Sequence, residues 1–521
     1  MTADIDRTRI KREVGNYYRY ATFSHKWEDN EPLFEKVIKV VVHDLEEFPT
    51  HAKLQMFCKI VREAGFNWAW SDTCCINKGD HFIFQEALVS MFKWYEGSSL
   101  TIIFLRGVHH LSEHGTLSKS IWNERAWTLQ EYHASKVVRF YTEDWTPYLN
   151  LDIPNHKESP EIISEMERAT GISAGALMEL RPGLDGIREK LCLASRRKTT
   201  YVEDAAYSLL GIFSVSLPVV YGEGNKALGK LLAQLLASSG DTSILAWTGR
   251  SGSFNSCLPA NILVFSQSLT SHIPPALADA EMESVASGLR ASLPDLALVT
   301  KLYDRLQELP VPSFSGQRMR FPCLAFTVGA LSPIRNGSER VFRARATALG
   351  VVEIKTREDL TCLGSLCLIH PWINFLLDQG VVRRITETTL EAEIDESSVF
   401  DELPSFADSS DTTSEALQTR LPHLVTHLEE HFGESPTPCD DDTASLPSPS
   451  FLSPVEKQTQ ALRFMARLRQ PFGALLLAQT RQRSKEYRRV AAESLITVQV
   501  EAITLVTLDK LIKSVQVLDV L

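Results

Sequence analysis

The chain has 521 residues, 44% hydrophobic and 23% charged, with a formal net charge of −11 at pH 7. That length exceeds one hydrophobic core and implies two or three domains, and the composition is that of an ordinary globular protein. The acidity is local. Glu387 to Asp442 holds sixteen acids against the single base Arg420, so the remainder is slightly basic and bulk charge selects no partner.

Further classes drop out on simple grounds. No basic, aromatic-interleaved surface argues for nucleic acid. No apolar run reaches the roughly 18 residues of a membrane-spanning helix, so no membrane span is expected. Met1 to Arg19 mixes charges and lacks an apolar centre, unlike a secretory leader. The nine cysteines are irregularly spaced, with Cys74 and Cys75 adjacent, which suits reduced thiols and a cytoplasmic location. Cys75 is expected to pack in the core.

In chain order, Tyr18 to Ser24 reads as a strand. Lys53 to Ala64 presents Leu54, Phe57, Cys58 and Val61 on one helical face, with Gly65 as its stop. Phe66 to Ser71 is a second strand ending at Asp72. Phe84 to Tyr95 is a helix, and Leu100 to Leu105 is a continuous β-branched and aromatic run, the pattern of a strand covered on both faces. A helix over Glu124 to Ala134 and a strand over Lys136 to Tyr141 follow. Strands alternating with helices predict a parallel sheet wrapped by helices, an α/β class.

Pro160 to Ser239 is mostly helical, clearest at Tyr201 to Phe213 and Asn225 to Leu236. Later come a helix near Leu296 to Leu306 and strands at Phe321 to Val328, Glu339 to Thr347 and Gly350 to Lys355. Residues 387–456, acidic and rich in Ser, Thr and Pro, read as disordered, and order returns near Gln458 with a β-rich end at Ile496 to Val506. The domain boundaries expected are 1–150, 151–247, 248–386, 387–456 and 457–521, the last packing with the accessory region 248–386.

Trp127-Thr128-Leu129-Gln130-Glu131 is the stretch that most invites chemistry. Residues four apart share a helix face, and an acid beside an indole is expensive to bury for stability alone. Glu131 also has bland readings: an ion pair with Arg125, or a cap on local backbone. Trp127 and Trp122 suit core anchors, His25 a satisfied structural histidine, Asp72 a turn residue, and Lys26 and Arg125 solvated charges.

The ordered blocks carry a resemblance. Tyr20-Ala21-Thr22-Phe23-Ser24-His25-Lys26-Trp27, Asp72-Thr73-Cys74-Cys75-Ile76-Asn77-Lys78, Ala87 to Tyr95 and Arg125 to Glu131 resemble the fungal heterokaryon-incompatibility (HET) domain. Thr199 to Gly211 and Leu217 to Gly224 resemble the extension that often follows it. Ala126, Asn77 and Lys78 are mild departures from that pattern. The likeness covers about residues 18–247.

HET domains are in turn similar to Toll/interleukin-1 receptor (TIR) domains. The resemblance therefore implies a TIR-like, flavodoxin-like parallel sheet flanked by helices, then a helical extension and a mixed α+β, β-rich C-terminal region. It also implies a role in non-self recognition or cell-death signalling. Many TIR domains cleave the nicotinamide–ribose bond of NAD with a Glu in a Trp-x-x-x-Glu context, the context of Trp127 and Glu131. On that reading Glu131 is catalytic, and Ser24, His25, Lys26, Trp27, Asp72 and Trp127 bind NAD as substrate. No resident cofactor or metal is required. Self-association would switch activity on, through a protein partner the sequence does not name. The alternative is a non-catalytic oligomerising module with a vestigial crevice.

Three motifs fail on context. Gly171-Ile172-Ser173-Ala174-Gly175 follows a helical stretch rather than the strand a nucleophile elbow needs. Gly224 to Lys230 has Leu231 where a phosphate loop needs Ser or Thr. His109, His110 and His114 lack partners at metal spacing.

Overall fold

The computed structural model describes residues 7–110, 112–266, 279–293, 295–336, 339–371, 454–481 and 485–521. Met1–Asn374 and Gln458–Leu521 form one compact unit. The stretch read as disordered lies outside the described residues up to 453; residues 454–456 instead open a helix, Pro454–Leu468, because Ala461, Leu462, Phe464 and Met465 give it a buried apolar face.

Four strands, β1 (Tyr20–His25), β2 (Trp68–Ser71), β3 (Leu100–Phe104) and β4 (Val138–Tyr141), form a wholly parallel sheet in the order β2-β1-β3-β4. β3 is buried at every position, as its run of β-branched and aromatic residues predicts. The alternation of a strand splits β1 between two environments. Ala21, Phe23 and His25 face the helix Pro49–Glu63, and the Phe23 ring stacks on Phe57 at 4.4 Å and on His25 at 4.3 Å. Thr22 and Ser24 face the opposite layer, where the helices His81–Glu96 and Trp127–Ala134 pack.

Local signals explain most boundaries. Gly65, with φ of +83°, follows the first of these helices in the left-handed conformation that glycine adopts without strain. Asp80 caps the helix His81–Glu96 by accepting the N–H groups of Phe82 and Ile83. The helix expected over Glu124 to Ala134 is broken in two, Ile121–Glu124 and Trp127–Ala134. Arg125 is extended between them, because its backbone bridges to Lys198 and Ala126 N–H donates to the Lys198 carbonyl at 3.0 Å. A tertiary pairing has replaced one helical turn there.

The helical stretch contains Pro160–Thr170, which precedes Gly171 and removes the nucleophile-elbow geometry, and Lys226–Ser239, which absorbs the phosphate-loop look-alike. Beyond it lies a nine-stranded, mostly antiparallel sheet. Its strands are β5 (Ser313–Ser315), β6 (Arg318–Asn336), β7 (Glu339–Ala346), β8 (Val351–Lys355), β9 (Leu366–Pro371), β10 (Phe472–Gln479), β11 (Glu486–Arg489), β12 (Ile496–Val498) and β13 (Val515–Val520). β10 pairs with β9, and β13 with β6, so residues on both sides of the acidic stretch share one sheet. The β-rich end expected over Ile496 to Val506 is only the short β12; Leu505–Ser514 is a helix that buries Leu508, Leu511 and Ile512. That periodicity of three and four is helical, and the β-branched composition hid it. No helix among the described residues is long and apolar enough to cross a membrane.

Candidate functional site

The carboxyl ends of β1 and β2 bring three sequence-expected residues together. Ser24 is the penultimate residue of β1, Asp72 directly follows β2, and Glu131 reaches them from the helix Trp127–Ala134. Ser24 Oγ donates to Glu131 Oε2 at 2.5 Å and accepts the Trp122 indole N–H at 2.8 Å. Glu131 therefore pairs with a hydroxyl rather than with Arg125, whose Nη1 donates instead to the His25 carbonyl at 2.8 Å. Ser24 is fully buried, and Glu131 is only 4% exposed.

The charges around Glu131 explain its ionisation. Burial, then the nearby Asp72 carboxylate, pushes its carboxyl up to about 7, while the Ser24 hydrogen bond and the Arg125 and Arg197 guanidiniums pull the other way. Asp72 is itself raised, mainly by burial, against the pull of Arg125 and Lys78. Two carboxyl groups thus share one desolvated corner, and one of them titrates near neutrality. That suits a group that both holds and releases a proton.

The remaining expected residues take distinct places. Trp27, 37% exposed, donates its indole N–H to Asp72 Oδ2 at 2.9 Å. The ammonium over its ring belongs to Lys78, 3.3 Å from the centroid. Lys26 contributes its carbonyl, which lies 3.1 Å from His25 Nδ1 and 3.3 Å from Lys53 Nζ. His25 turns to the other face of β1, with Nδ1 3.6 Å from Glu31 and Nε2 3.9 Å from Asp72. Burial, Lys53 and Arg125 hold its imidazole well below the usual value, so it is neutral at pH 7. Its Nε2 is buried without a hydrogen-bond partner. Trp127 packs against the core and hydrogen-bonds Asp204, which Tyr221 also reaches at 2.9 Å.

Some participants carry no local signal. Arg197 donates to the Arg125 carbonyl at 2.8 Å and to Thr128 Oγ1 at 2.9 Å, so it fixes the break that aims Arg125 at β1. Tyr95 donates to the Phe23 carbonyl at 2.9 Å, and Glu131 together with burial raises its hydroxyl well above 10. Its one clue was a polar tip ending an apolar helical face. Trp122 packs as an anchor, 2% exposed, and also holds Ser24. Cys75, expected inside, is exposed: Cys74 takes the buried place, and the turn that follows β2 directs its neighbour outward. Among the described residues no group of three or more His, Cys, Asp or Glu is placed to hold a metal ion.

Residues 20–116 match the family described as Heterokaryon incompatibility protein (HET). This stretch holds Ser24, Trp27 and Asp72; Trp127 and Glu131 lie beyond it. The chain is 33% identical over 227 residues to Vegetative incompatibility protein HET-E-1 of Podospora anserina, a match covering 41% of this chain and 16% of that protein. No solved structure matches the chain. The strands β1 to β3, with Ser24, Trp27 and Asp72, therefore lie in a stretch similar to a heterokaryon-incompatibility (HET) domain.

Proposed function

We propose that this chain acts in heterokaryon-incompatibility-type non-self recognition or cell-death signalling, and that its effector step is cleavage of NAD at the nicotinamide–ribose bond. The observation that carries the chemistry is the Glu131 carboxyl, fixed by Ser24 beside Asp72 and titrating near 7. The strand order is that of the first four strands of a flavodoxin-like sheet, which supports the TIR-like reading. Ligands of such sheets bind beyond the carboxyl ends, where the chain switches direction beside β1.

In the step itself the C1′–N1 bond breaks and nicotinamide leaves as a neutral molecule. Water adds to C1′, and its proton is released, giving ADP-ribose. Positive charge develops on the ribose ring as the bond stretches, and the Glu131 carboxylate stabilises it. Asp72 and Trp27 at the rim orient the ribose and the ring. Self-association opens the corner and switches the activity on. The test is nicotinamide release by the full chain, with Glu131→Gln expected to lose at least about 100-fold. Equal rates for the two proteins sink the proposal.

One observation favours a second reading, a non-catalytic oligomerising module: Glu131 is 4% exposed and already hydrogen-bonded. In that case NAD and ADP-ribose leave the melting temperature of the chain unchanged, whereas a ligand bound to the native state raises it.

A further inference from the structure

A hollow lies beside the C-terminal end of the helix Trp127–Ala134, which carries Glu131. It encloses about 360 Å³, within the lower part of the roughly 300–1,000 Å³ range of small-molecule sites. Tyr132, His133 and Ala134 form one wall, and Ser135 and Lys136 continue it. The floor is apolar, from Phe92, Ile163, Met166, Leu177 and Leu180. Among the described residues the charged lining is Lys136, Lys157, Arg181 and Glu96.

Lys157 makes this more than a surface dimple. Its Nζ donates to the Ser135 carbonyl at 2.5 Å and sits 4.5 Å from the Tyr132 ring centroid. An ammonium has three protons to donate, and among the described residues no carboxylate lies within ion-pairing distance of this one. Burial draws it down to about 8, and no neighbouring charge offsets that. A desolvated cation without a counter-charge is costly to the fold unless an anion completes it. His133, on the same wall, is neutral because burial lowers its imidazole to about 3, so it adds polarity without charge.

We propose that this cavity binds a small organic anion with an apolar body, a carboxylate of medium chain length. Its head pairs with the Lys157 ammonium, and its body lies on Phe92, Met166 and Leu177. Neither a purely apolar ligand nor a bare anion satisfies both halves of the lining. The site stands whether or not Glu131 cleaves NAD, since Glu131 does not line it.

The probe is sodium octanoate, titrated calorimetrically into the full chain, with octan-1-ol and inorganic phosphate as controls. Saturable octanoate binding is expected, with both controls at least about tenfold weaker. Lys157→Gln, which keeps a hydrogen-bond donor for Ser135, should weaken octanoate at least about tenfold. Leu180→Trp, which fills the cavity from its edge, should abolish binding; it decides the matter if the lysine variant does not fold. Absence of octanoate binding to the native chain overturns the proposal. So does octanol or phosphate binding as tightly as octanoate, or an unchanged Kd in Leu180→Trp.

Discussion

The two sheets of this molecule bury different kinds of polar group. In the nine-stranded sheet β6, β9, β10 and β13 bury Met319, Phe321, Phe326, Leu368, Leu477 and Val520, all essentially unexposed. In the four-stranded sheet the interior holds Thr22, Ser24, His25, Thr101 and Glu131, joined by hydrogen bonds such as Thr22 to Thr101 at 2.7 Å and Thr101 to Ser135 at 2.5 Å. The first also buries a charge, Arg489 of β11, whose guanidinium donates to the carbonyls of Leu245, Cys257 and Trp247. The second retains desolvated acids that a stability-only core would replace with hydrocarbon. Among the described residues the larger sheet buries no acid, and that difference supports a functional role for the smaller one.

Three changes test the comparison, beginning with the largest effect. Phe321→Ala should destabilise the chain by about 3–5 kcal/mol, because a fully buried ring leaves a cavity. The shift in urea midpoint should be the same at pH 6 and pH 8; a strong pH dependence would mean that a titrating group packs against the Phe321 ring. Lys53→Met comes next. Lys53 is 4% exposed and holds Glu28 at 3.1 Å together with Glu31, so its loss strands two acids and should cost about 3 kcal/mol at pH 8. At pH 5 the loss should shrink, since burial already raises the Glu31 carboxyl and protonation relieves it. An equal loss at both pH values would show that only packing was removed.

The smallest effect carries the most information. The Glu131 carboxyl is raised to about 7 in the folded chain, above its unfolded value near 4.5. The folded state therefore binds this proton more tightly, and the associated stability is fully present below about 4.5. It falls away as pH rises through 7, by on the order of 2–3 kcal/mol. Glu131→Gln mimics the protonated acid. It should be more stable than the native chain at pH 8 and equal to it near pH 4, as read by thermal unfolding. A variant less stable than the native chain at pH 8 would mean that the ionised carboxylate supports the fold.

Legibility followed the range of the interactions. β3 was visible as a run of β-branched and aromatic residues, the helix stop at Gly65 as a residue suited to positive φ, and Asp72 as a strand end. The break at Arg125 was not, because its cause is Lys198, more than seventy residues later. The long β6, the pairing of β10 with β9 and the helix Leu505–Ser514 were also hidden. Their partners or buried faces come from distant parts of the chain, and local propensity says little about such pairings.

The sequence alone determined the alternating α/β pattern, the choice of Ser24, Asp72 and Glu131 as the residues worth watching, and the local character of the acidity. These depend on side-chain type and spacing within a turn or a strand. Tertiary structure alone decided that Ser24 holds Glu131 and that His25 faces the other layer. It also decided that the cation over Trp27 is Lys78, and that Lys157 borders a hollow. Ionisation and pairing depend on what burial brings within a few ångströms, and that follows from how the whole chain packs.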